Sequence, residues 1–497
     1  MKRLSAIVAL VCCFVLTSCV QDNSNRFRIY DAPQGIELSK AYTLEVEGCN
    51  VPLYKVIIPD SIPVPRLVPN RKSGVASMAL FDVNDKVAVS VASDEIIESV
   101  KILPTSYNIP FEVVDNKVLF SIDGPMHLTV EINGNWHESL HISANPFETD
   151  VPDPDDENVI YFGAGLHDIT SVVVEDNQTL YIAPGAYIRC TMEQEDQMIH
   201  LGDRDMVMPS ILVKGKNVTV RGRGIIDGGA IPRARRRNLL LVHDSENVSI
   251  EGICFFDSSS WTLPIKCSDN VHVDNIKLTG WRGNADGIDI SNSRDVVVEN
   301  SFLRTFDDLV VVKSFGGLGE VYNIHVRKCV LWNELAHSLS IGAEVHENVT
   351  NVLFEDCDVI HDVGRATALR VYHCDSAVIS DVTFQNIRVE EGRRLISVWI
   401  GSTRWSKTEE RGHIRNVVFR DITTTSAPID PTIKGFQDAT DWNPYIIKDH
   451  ASVEVIGYDE QHLVENVTFE NVIIDGKKFD ESRTIFVNEF ALNIQFK

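Results

Sequence analysis

The chain has 497 residues, of which 44% are hydrophobic and 8% aromatic, so it has the composition of a folded protein with a large core rather than that of a disordered chain. Its 71 acidic residues outnumber 46 basic ones, and the formal net charge of −25 disfavours nucleic acid as a partner and repels polyanions at long range. This length is compatible with one or two domains, because repeat folds grow by adding turns.

The N-terminus has the pattern of an export signal. The residues MKR precede an apolar stretch, 6–16, that is too short to span a membrane. The following LTSC ends at Cys19 and resembles a bacterial lipoprotein box, which implies cleavage before Cys19 and a lipid on its thiol, with residues 20–27 as a tether. We therefore expect an exported bacterial lipoprotein, anchored by residue 19 in the outer membrane on its periplasmic side or at the cell surface.

The cysteines do not form the pattern of a disulfide framework. Three of the ten, Cys12, Cys13 and Cys19, fall in the predicted signal and anchor, and an odd number, seven, remains. Most of these lie in or beside apolar strand-like runs without CxxC spacing, so we predict buried small hydrophobic residues and no zinc site. Those concerned are Cys190, Cys254, Cys267, Cys329, Cys357 and Cys374.

Residues 28–150 predict a small β-sandwich domain. Apolar and polar residues alternate in segments such as YTLEVEG, KVAVSVAS, NKVLFSID and HLTVEING, and turn residues separate the segments. The acidic, proline-containing segment VPDPDDEN at 151–158 has the character of a linker, and the pattern changes after it. We therefore place the second domain at 155–497.

The second domain carries a repeat of the form Asn/Asp-Val-x-hydrophobic. It begins at 217, 247, 270, 295, 323, 351, 381, 416 and 466, with intervals of mostly 23 to 35 residues. Such a period, with β-branched residues and without helical spacing, predicts an all-β right-handed parallel β-helix. A leucine-rich repeat is disfavoured because no LxxLxL consensus occurs. The repeat also explains Asn-Val-Thr at 217 and 466 better than a glycosylation signal does.

A second strand in each turn follows its own column of apolar residues. Aligning Ile288 with Leu309, a shift of 21 residues, predicts that Asp289 and Arg370 face outward with Tyr372 and Trp399. The positions just before this strand are Trp261, Asp286, Asp307, His337, Thr367 and Arg394. A face with acids, aromatic rings, histidine and arginine predicts a binding groove.

Asp286, Asp307 and Asp308 would meet on adjacent turns, which predicts cleavage of glycosidic bonds. Inverting hydrolysis needs one protonated carboxyl to protonate the leaving oxygen and a carboxylate to activate water, at a separation of roughly 6.5 to 9.5 Å. Neighbouring strands lie ~4.8 Å apart, so carboxylates on adjacent turns with a sideways offset can span that distance. Mutual repulsion between clustered acids raises the pKa of at least one of them, as a general acid requires.

Four motifs resemble the signatures of glycoside hydrolase family 28, the polygalacturonases. NADGID, FDDLVVVKS, HSLSIG and RVY occur in the order of the family's NTDGID, GDDCIAIKS, HGLSIG and RIK, and the resemblance covers roughly 155–480. It implies an inverting enzyme without metal or other cofactor. Asp307 would be the general acid, and Asp286 and Asp308 would activate water. His337 would support the acid and Arg370 would bind substrate.

Further substrate contacts are expected from Asn284 in the first motif and, by stacking on sugar rings, from Trp261, Tyr372 and Trp399. Tyr372 stands where the family has a lysine, and Ala285 where it has a threonine. The N-terminal sandwich and the joining segment, with VIYFGAGLHDI and LYIAPGAYI, resemble the arrangement of family 49, the dextranase and isopullulanase group. That resemblance implies a neutral α-glucan as an alternative substrate.

The arginines favour an anionic sugar instead. They are the run Arg233, Arg235, Arg236 and Arg237, for which a solvated surface is an equal alternative, and Arg282, Arg365, Arg370, Arg393 and Arg394. Two other classes stay open. A polysaccharide lyase would use arginine as base and calcium held by the acids. A non-catalytic glycan-binding adhesin would use the same fold without turnover.

Overall fold

A computed structural model describes residues 25–58, 74–193, 197–362, 367–392, 394–403, 405–426, 452–480 and 485–497. The described residues form β-strands and three short 3₁₀ helices, Thr105–Tyr107, Trp136–Glu138 and Arg233–Arg235, and contain no α-helix. None of their helices is long and apolar enough to cross a membrane. The predicted signal, the Cys19 anchor, Arg365 and Arg393 lie outside the described residues.

The N-terminal strands form two sheets packed face to face. The strands are β1 Phe27–Ile29, β2 Tyr42–Val46, β3 Cys49–Asn50, β4 Leu53–Ile58, β5 Gly74–Val83, β6 Val87–Ser93, β7 Val100–Leu103, β8 Phe111–Val114, β9 Lys117–Ile122, β10 Met126–Ile132 and β11 Leu140–Asn145. One sheet has the order β3-β2-β6-β9-β8, and the other β1-β5-β11-β10-β7 with β4 also on β5. Alternate residues such as Leu44, Val89 and Phe81 are buried between them. The predicted sandwich is confirmed.

The rest of the described chain is a parallel β-helix. Its strands are β12 Val159–Phe162, β13 Gly165–Ile169, β14 Val172–Val174, β15 Thr179–Ile182, β16 Ala186–Cys190, β17 Met198–His200, β18 Asp205–Val207, β19 Ile211–Val213, β20 Lys216–Gly222, β21 Ile225–Asp227, β22 Leu240–His243, β23 Glu246–Glu251, β24 Cys254–Phe256, β25 Leu263–Lys266, β26 Asp269–Asp274, β27 Lys277–Gly280, β28 Ile288–Ser291, β29 Arg294–Glu299, β30 Phe302–Thr305, β31 Val310–Ser314, β32 Val321–Arg327, β33 Val330–Asn333, β34 Leu339–Val345, β35 Val349–Glu355, β36 Asp358–Asp362, β37 Leu369–His373, β38 Val378–Gly392, β39 Arg394–Ile400, β40 His413–Ser426, β41 Ser452–Ile456, β42 Val464–Ile474, β43 Lys477–Lys478, β44 Ile485–Val487 and β45 Ala491–Phe496. Eleven strands, β14-β19-β22-β25-β28-β31-β34-β37-β39-β41-β44, stack into one sheet, and 21 others form a continuous second sheet. The predicted right-handed parallel β-helix is confirmed.

The Asn/Asp-Val repeat is the physical basis of the coil. Its valines or isoleucines pair from turn to turn in the predicted register, beginning with Val218, Val248 and Val271, and all are buried. The preceding Asn or Asp has φ between 53° and 58°, a left-handed conformation that these two residue types tolerate better than other non-glycine residues. Their side chains hydrogen-bond along the helix at 2.6 to 3.1 Å. The repeat thus builds a turn and a ladder together.

The sandwich covers the outer face of the 21-stranded sheet. Tyr54, Met78 and Leu103 pack against β-helix residues that include Phe256 and Trp332. Buried polar groups also cross this interface. Arg304 donates to the carboxylate of Glu334 at 3.0 and 3.1 Å and to Ser139 Oγ and His141 Nε2 of the sandwich at 3.1 and 3.0 Å. The outer face of the eleven-stranded sheet lies elsewhere on the coil and carries the polar residues of the next section.

One turn of the predicted register is wrong. Ile288 pairs with Val310, not with Leu309, so the shift between these turns is 22 residues. Val310 then pairs with Leu339, and the later turns follow the predicted intervals. All four residues of Leu309–Val312 are fully buried, so either register buries apolar side chains and the alternation could not distinguish them. Val311 and Lys313, rather than Val310 and Val312, therefore continue the outward columns.

The seven described cysteines are free thiols. Cys190, Cys254, Cys329, Cys357 and Cys374 are buried, as predicted for small hydrophobic residues. Cys267 is only partly buried, and Cys49 of the sandwich is partly exposed as well. Cys190, Cys329 and Cys357 lie in the apolar core of the coil, whereas Cys374 packs with Tyr372 and Trp399 on the outward side of the eleven-stranded sheet.

Candidate active site

The structure brings Asp286, Asp307 and Asp308 together on the eleven-stranded sheet. One carboxylate oxygen from each lies within 4.8 Å of the others. Asp286 comes two residues before β28, and Asp308 two residues before β31, so these two occupy the same position on successive turns. Asp286 is only 3% exposed and Asp308 9%, whereas Asp307 is more accessible.

Close contact between turns explains two glycines in the motifs. A Cβ at Gly287 would lie 2.3 Å from the carbonyl oxygen of Leu309 on the next turn. A Cβ at Gly342 would lie 2.3 Å from the carbonyl oxygen of Tyr372, and Gly342 has φ of 105°, which also favours glycine. The tight stacking that these glycines allow keeps the groove residues of neighbouring turns within contact distance.

The corrected register changes the partners of the two adjacent acids. Asp308, not Asp307, stacks between Asp286 and His337, and its Oδ1 accepts a hydrogen bond from the backbone N–H of His337 at 3.2 Å. Asp307 is held from its own turn and the preceding one. Its Oδ1 accepts from the N–H of Asp308 at 3.2 Å, and its Oδ2 accepts from the N–H of Asn284 at 3.0 Å. Asn284 is exposed, with φ of 64°, so the loop before β28 orients Asp307 through its backbone.

Lys313 is a central site residue that the sequence-based prediction missed. Its ammonium group donates to Asp289 Oδ1 at 2.6 Å and to Asp286 Oδ2 at 3.2 Å, and it lies 4.1 Å from the ring centre of Trp261. Lys313 is the last residue but one of the FDDLVVVKS motif, and the correct register would have placed it on the groove face. Asp289, predicted to face outward, is completely buried beneath the groove by this contact.

Burial and mutual repulsion alter the acid–base properties of the cluster. Burial, with the charge of Asp307, raises the pKa of Asp308 to about 7 despite attraction by Lys313 and Arg370. Burial and the charge of Asp289 raise the pKa of Asp286 well above its ordinary range. Burial likewise raises the pKa of Asp289 to about 6, against the attraction of Lys313. The cluster therefore retains a proton near neutral pH, shared among coupled groups.

The ring of His337 is fixed by two partners of known polarity. Its Nδ1 lies 2.8 Å from the carbonyl oxygen of Thr367. Because a carbonyl oxygen can only accept a hydrogen bond, Nδ1 carries a proton. Its Nε2 is in contact with the Arg370 guanidinium, which can only donate, so Nε2 is the acceptor. His337 is thus neutral, and it orients Arg370 while its backbone N–H supports Asp308.

The three predicted stacking residues differ in their surroundings. Trp261 is partly exposed beside Lys313. Tyr372 is fully buried, because its ring stacks on Trp399 with centres 4.1 Å apart and its hydroxyl bonds to Thr403 Oγ1 at 2.8 Å. The guanidinium of Arg370 covers the Tyr372 ring at 4.1 Å. Trp261 is thus the one of the three with an accessible ring, and sugar stacking by the other two stays a prediction.

Most of the predicted arginines that the structure describes have partners within the protein. Arg394 pairs with Glu454 at 3.1 Å, and Arg282 with Asp257 at 2.6 Å. Arg237 is buried and donates to the carbonyl oxygens of Thr170 and Thr191. Arg233 donates to the carbonyl oxygen of Gly283, next to Asn284. Within the run at 233–237, Arg237 is therefore structural, whereas Arg233 and Arg236 are exposed and Arg235 is partly exposed.

The carboxyl separation does not by itself predict the stereochemistry. The closest oxygens of the three acids lie within 4.8 Å, which is shorter than the roughly 6.5 to 9.5 Å between carboxyl groups of inverting enzymes. Carboxylate oxygens are also the ligands that calcium prefers, but here a buried ammonium group already bridges Asp286 and Asp289.

Comparison with known proteins shows which family the region around the site resembles. Residues 209–444 match the model of glycosyl hydrolases family 28. The endo-polygalacturonase of Pectobacterium carotovorum subsp. carotovorum is 26% identical over 194 residues, which are 37% of this chain and 46% of that protein. The chain thus spans about half the length of the curated relatives it matches.

Two solved structures share the fold. The exopolygalacturonase from Thermotoga maritima has a TM-score of 0.51 at 16% identity and covers 67% of this chain and 84% of its own. Dex49A from Penicillium minioluteum has a TM-score of 0.62 at 13% identity and covers 95% of this chain and 99% of its own, so the similarity includes the sandwich. The chain therefore shares the right-handed parallel β-helix of these structures, and its residues 209–444 are similar to the family 28 glycosyl hydrolases.

Proposed function

We propose that the protein is a glycoside hydrolase that cleaves a polysaccharide or oligosaccharide at the Asp286, Asp307 and Asp308 cluster. The observation that carries the proposal is the convergence of these three acids on one groove face within the region that matches family 28. Carboxyl groups that retain a proton near neutral pH beside an ionised neighbour supply the acid and base that the reaction needs.

The resemblance to family 28 assigns one step to each acid. Asp307, the most accessible, would protonate the leaving oxygen of the glycosidic bond. Asp286 and Asp308, which lie deeper, would activate the attacking water. Asp286 Oδ1 is a buried acceptor without a hydrogen-bond partner among the described residues, as expected of an atom whose partner arrives with the reactants. Inversion at the anomeric carbon belongs to this proposal through the resemblance to family 28.

The leading substrate candidate is a polygalacturonate-type glycan, because the matched relatives are polygalacturonases by name. A neutral α-glucan is the second candidate, and one observation favours it. Tyr372, which stands where the family has a lysine, is buried against Trp399 and offers no charge. Moreover, Lys313 and Arg394 are already paired with carboxylates, so a uronate would have to compete for them.

The direct test is turnover of pectic oligosaccharides and of α-glucans by the purified protein, with the product anomer read by NMR. Asp307→Asn and Asp308→Asn should each lower kcat by roughly 10² to 10⁴ or more with the fold intact. Asp295→Asn is a matched control, because Asp295 is an exposed ladder position where most other turns have asparagine. Full activity of both site variants would refute the proposed mechanism.

The same experiment separates the rival classes. A lyase would give products with a near-ultraviolet absorbance and would lose activity to a chelator. An adhesin would bind glycan without turnover, and Asp307→Asn would leave that binding unchanged. Hydrolysis products without this absorbance, formed in the presence of chelator, support the proposal.

We further propose that the protein is held at the outer membrane by a lipid on Cys19, with the sequence LTSC as support. Metabolic labelling with a fatty acid should mark the wild-type protein, and Cys19→Ser should abolish the label and release the protein from the membrane fraction. Labelling of the Cys19→Ser variant at the wild-type level would refute the anchor.

A further inference from the structure

A buried pair of opposite charges lies beneath the acid cluster. Asp289 is fully buried, and Lys313 is 4% exposed, so both charges are held largely away from water. Without an opposite charge nearby, either charge would strongly destabilise the folded protein there. The pair also touches the reacting groups, because Lys313 donates to Asp286 as well as to Asp289. A purely structural ion pair would not need this third member.

We propose that Asp289 and Lys313 are positioning residues whose opposite charges set how readily Asp286 gives up its proton. This inference rests on the proposed function for the role of Asp286, but the charge coupling itself can be measured without turnover. Asp289 and Lys313 make no contact with the reacting bond and act through the Asp286 carboxyl group.

Three described groups contact the Lys313 ammonium group. It donates to Asp289 Oδ1 at 2.6 Å and to Asp286 Oδ2 at 3.2 Å, and it lies 4.1 Å from the centre of the Trp261 ring. The shorter contact is the one with Asp289, so the ammonium group interacts more strongly with Asp289 than with Asp286. Asp286 is also repelled by Asp289 itself. Removal of Asp289 and removal of Lys313 should therefore shift the pH at which Asp286 ionises in opposite directions.

Other charged groups also face this region. Asp307 and Asp308 repel Asp286 from the next turn, and Glu344 acts on both Asp289 and Lys313. Arg370 attracts Asp308 and is in contact with His337. None of these groups changes in the variants below. A charge within a few ångströms shifts the ionisation of a carboxyl group by roughly 1 to 3 pH units.

The test measures the ionisation of Asp286 by carboxyl-carbon NMR in the full-length protein labelled at aspartate, with the signal assigned by its loss in Asp286→Asn. Asp289→Asn should lower the pH at which Asp286 ionises by about 1 unit or more, because a repelling charge is lost and Lys313 is released to it. Lys313→Met should raise that pH by a similar amount, and Lys313→Arg should restore most of it.

Lys266→Met is the matched control. Lys266 lies in the same outward column two turns away, is also buried, and pairs with Asp203 rather than with the acid cluster. Its removal should leave the Asp286 titration unchanged. If Lys313→Met does not fold, Asp289→Asn still decides the matter, because an Asp286 titration that is unchanged or moved to higher pH in that variant contradicts the inference.

Activity gives a second readout. The acidic limb of the kcat/KM profile should move to lower pH in Asp289→Asn and to higher pH in Lys313→Met, since Asp286 must ionise to act on water. Shifts in the same direction, or none, in the NMR titration overturn the inference. Opposite NMR shifts in a protein that hydrolyses no glycan would uphold the charge coupling and refute the proposed function instead.

Discussion

Asp308→Asn should stabilise the fold while removing activity, with a gain that depends on pH. The folded protein holds the pKa of Asp308 at about 7, whereas the ordinary value is 3.8. Below pH 3.8 the group is protonated in both states and contributes nothing. As pH rises toward 7, the unfolded chain releases its proton first, so the folded state loses relative stability until both are ionised.

The magnitude follows from that difference at 1.36 kcal/mol per pKa unit. Ionised Asp308 costs the folded protein up to roughly 4 kcal/mol at pH 8, and about 3 kcal/mol of this develops between pH 5 and 8. Asparagine removes the charge, and its side-chain oxygen can still accept the N–H of His337. Because Asp286 and Asp289 share the retained proton, these figures are upper values.

The assay is denaturant unfolding followed by tryptophan fluorescence at pH 5, 6.5 and 8. The gain in the free energy of unfolding of Asp308→Asn over wild type should increase steadily with pH. Asp295→Asn, an exposed ladder position, should match wild type at each pH. A gain that is the same at pH 5 and 8, or a loss that grows with pH, would show that the burial argument is wrong.

Three further outcomes are expected. Arg304→Met should lower the free energy of unfolding by about 3 to 5 kcal/mol, because the buried Glu334 carboxylate loses the guanidinium group that balances its charge; an effect under 1 kcal/mol in denaturant unfolding would contradict this. Asn351→Ala should lower the free energy of unfolding by about 2 kcal/mol, since it breaks the side-chain ladder and strains a residue at φ of 55°. Asn351→Gly should recover part of that loss, and equal thermal stability of the two variants would argue against backbone strain. Trp261→Ala should raise KM for the glycan roughly threefold to tenfold, because ring stacking on the sugar is lost. Steady-state kinetics measure this change, and a KM equal to the wild-type value would disprove the role of the ring.

Local patterns made the coil and most of its register predictable. Each Asn/Asp-Val unit specifies a left-handed residue followed by a buried β-branched one, and both requirements are satisfied within a few residues. The predicted pairs at Val218, Val248 and Val271 therefore hold in the structure. The acids of the two motifs came together because their strands are neighbours in the stack.

The site departs from the prediction where alternation carries no information. Leu309 to Val312 is an unbroken apolar run that is buried on both faces, so only packing against the flanking turns chose between shifts of 21 and 22. This difference of one residue in the shift means that Asp308 rather than Asp307 stacks on Asp286. It also places Lys313 among the acids. Contacts of this kind join residues on different turns and have no local signal.

The sequence by itself determined the class of fold and the presence of three acids, since period and turn chemistry are local properties of the chain. Only the tertiary structure decided which charges pair, because the ionisation of Asp286 depends on a lysine from the next turn and on burial from water. It also decided that the sandwich covers the back of the coil through Arg304 and Glu334. Both results follow from the same cause: the free energy of a charge is set by its neighbours in space.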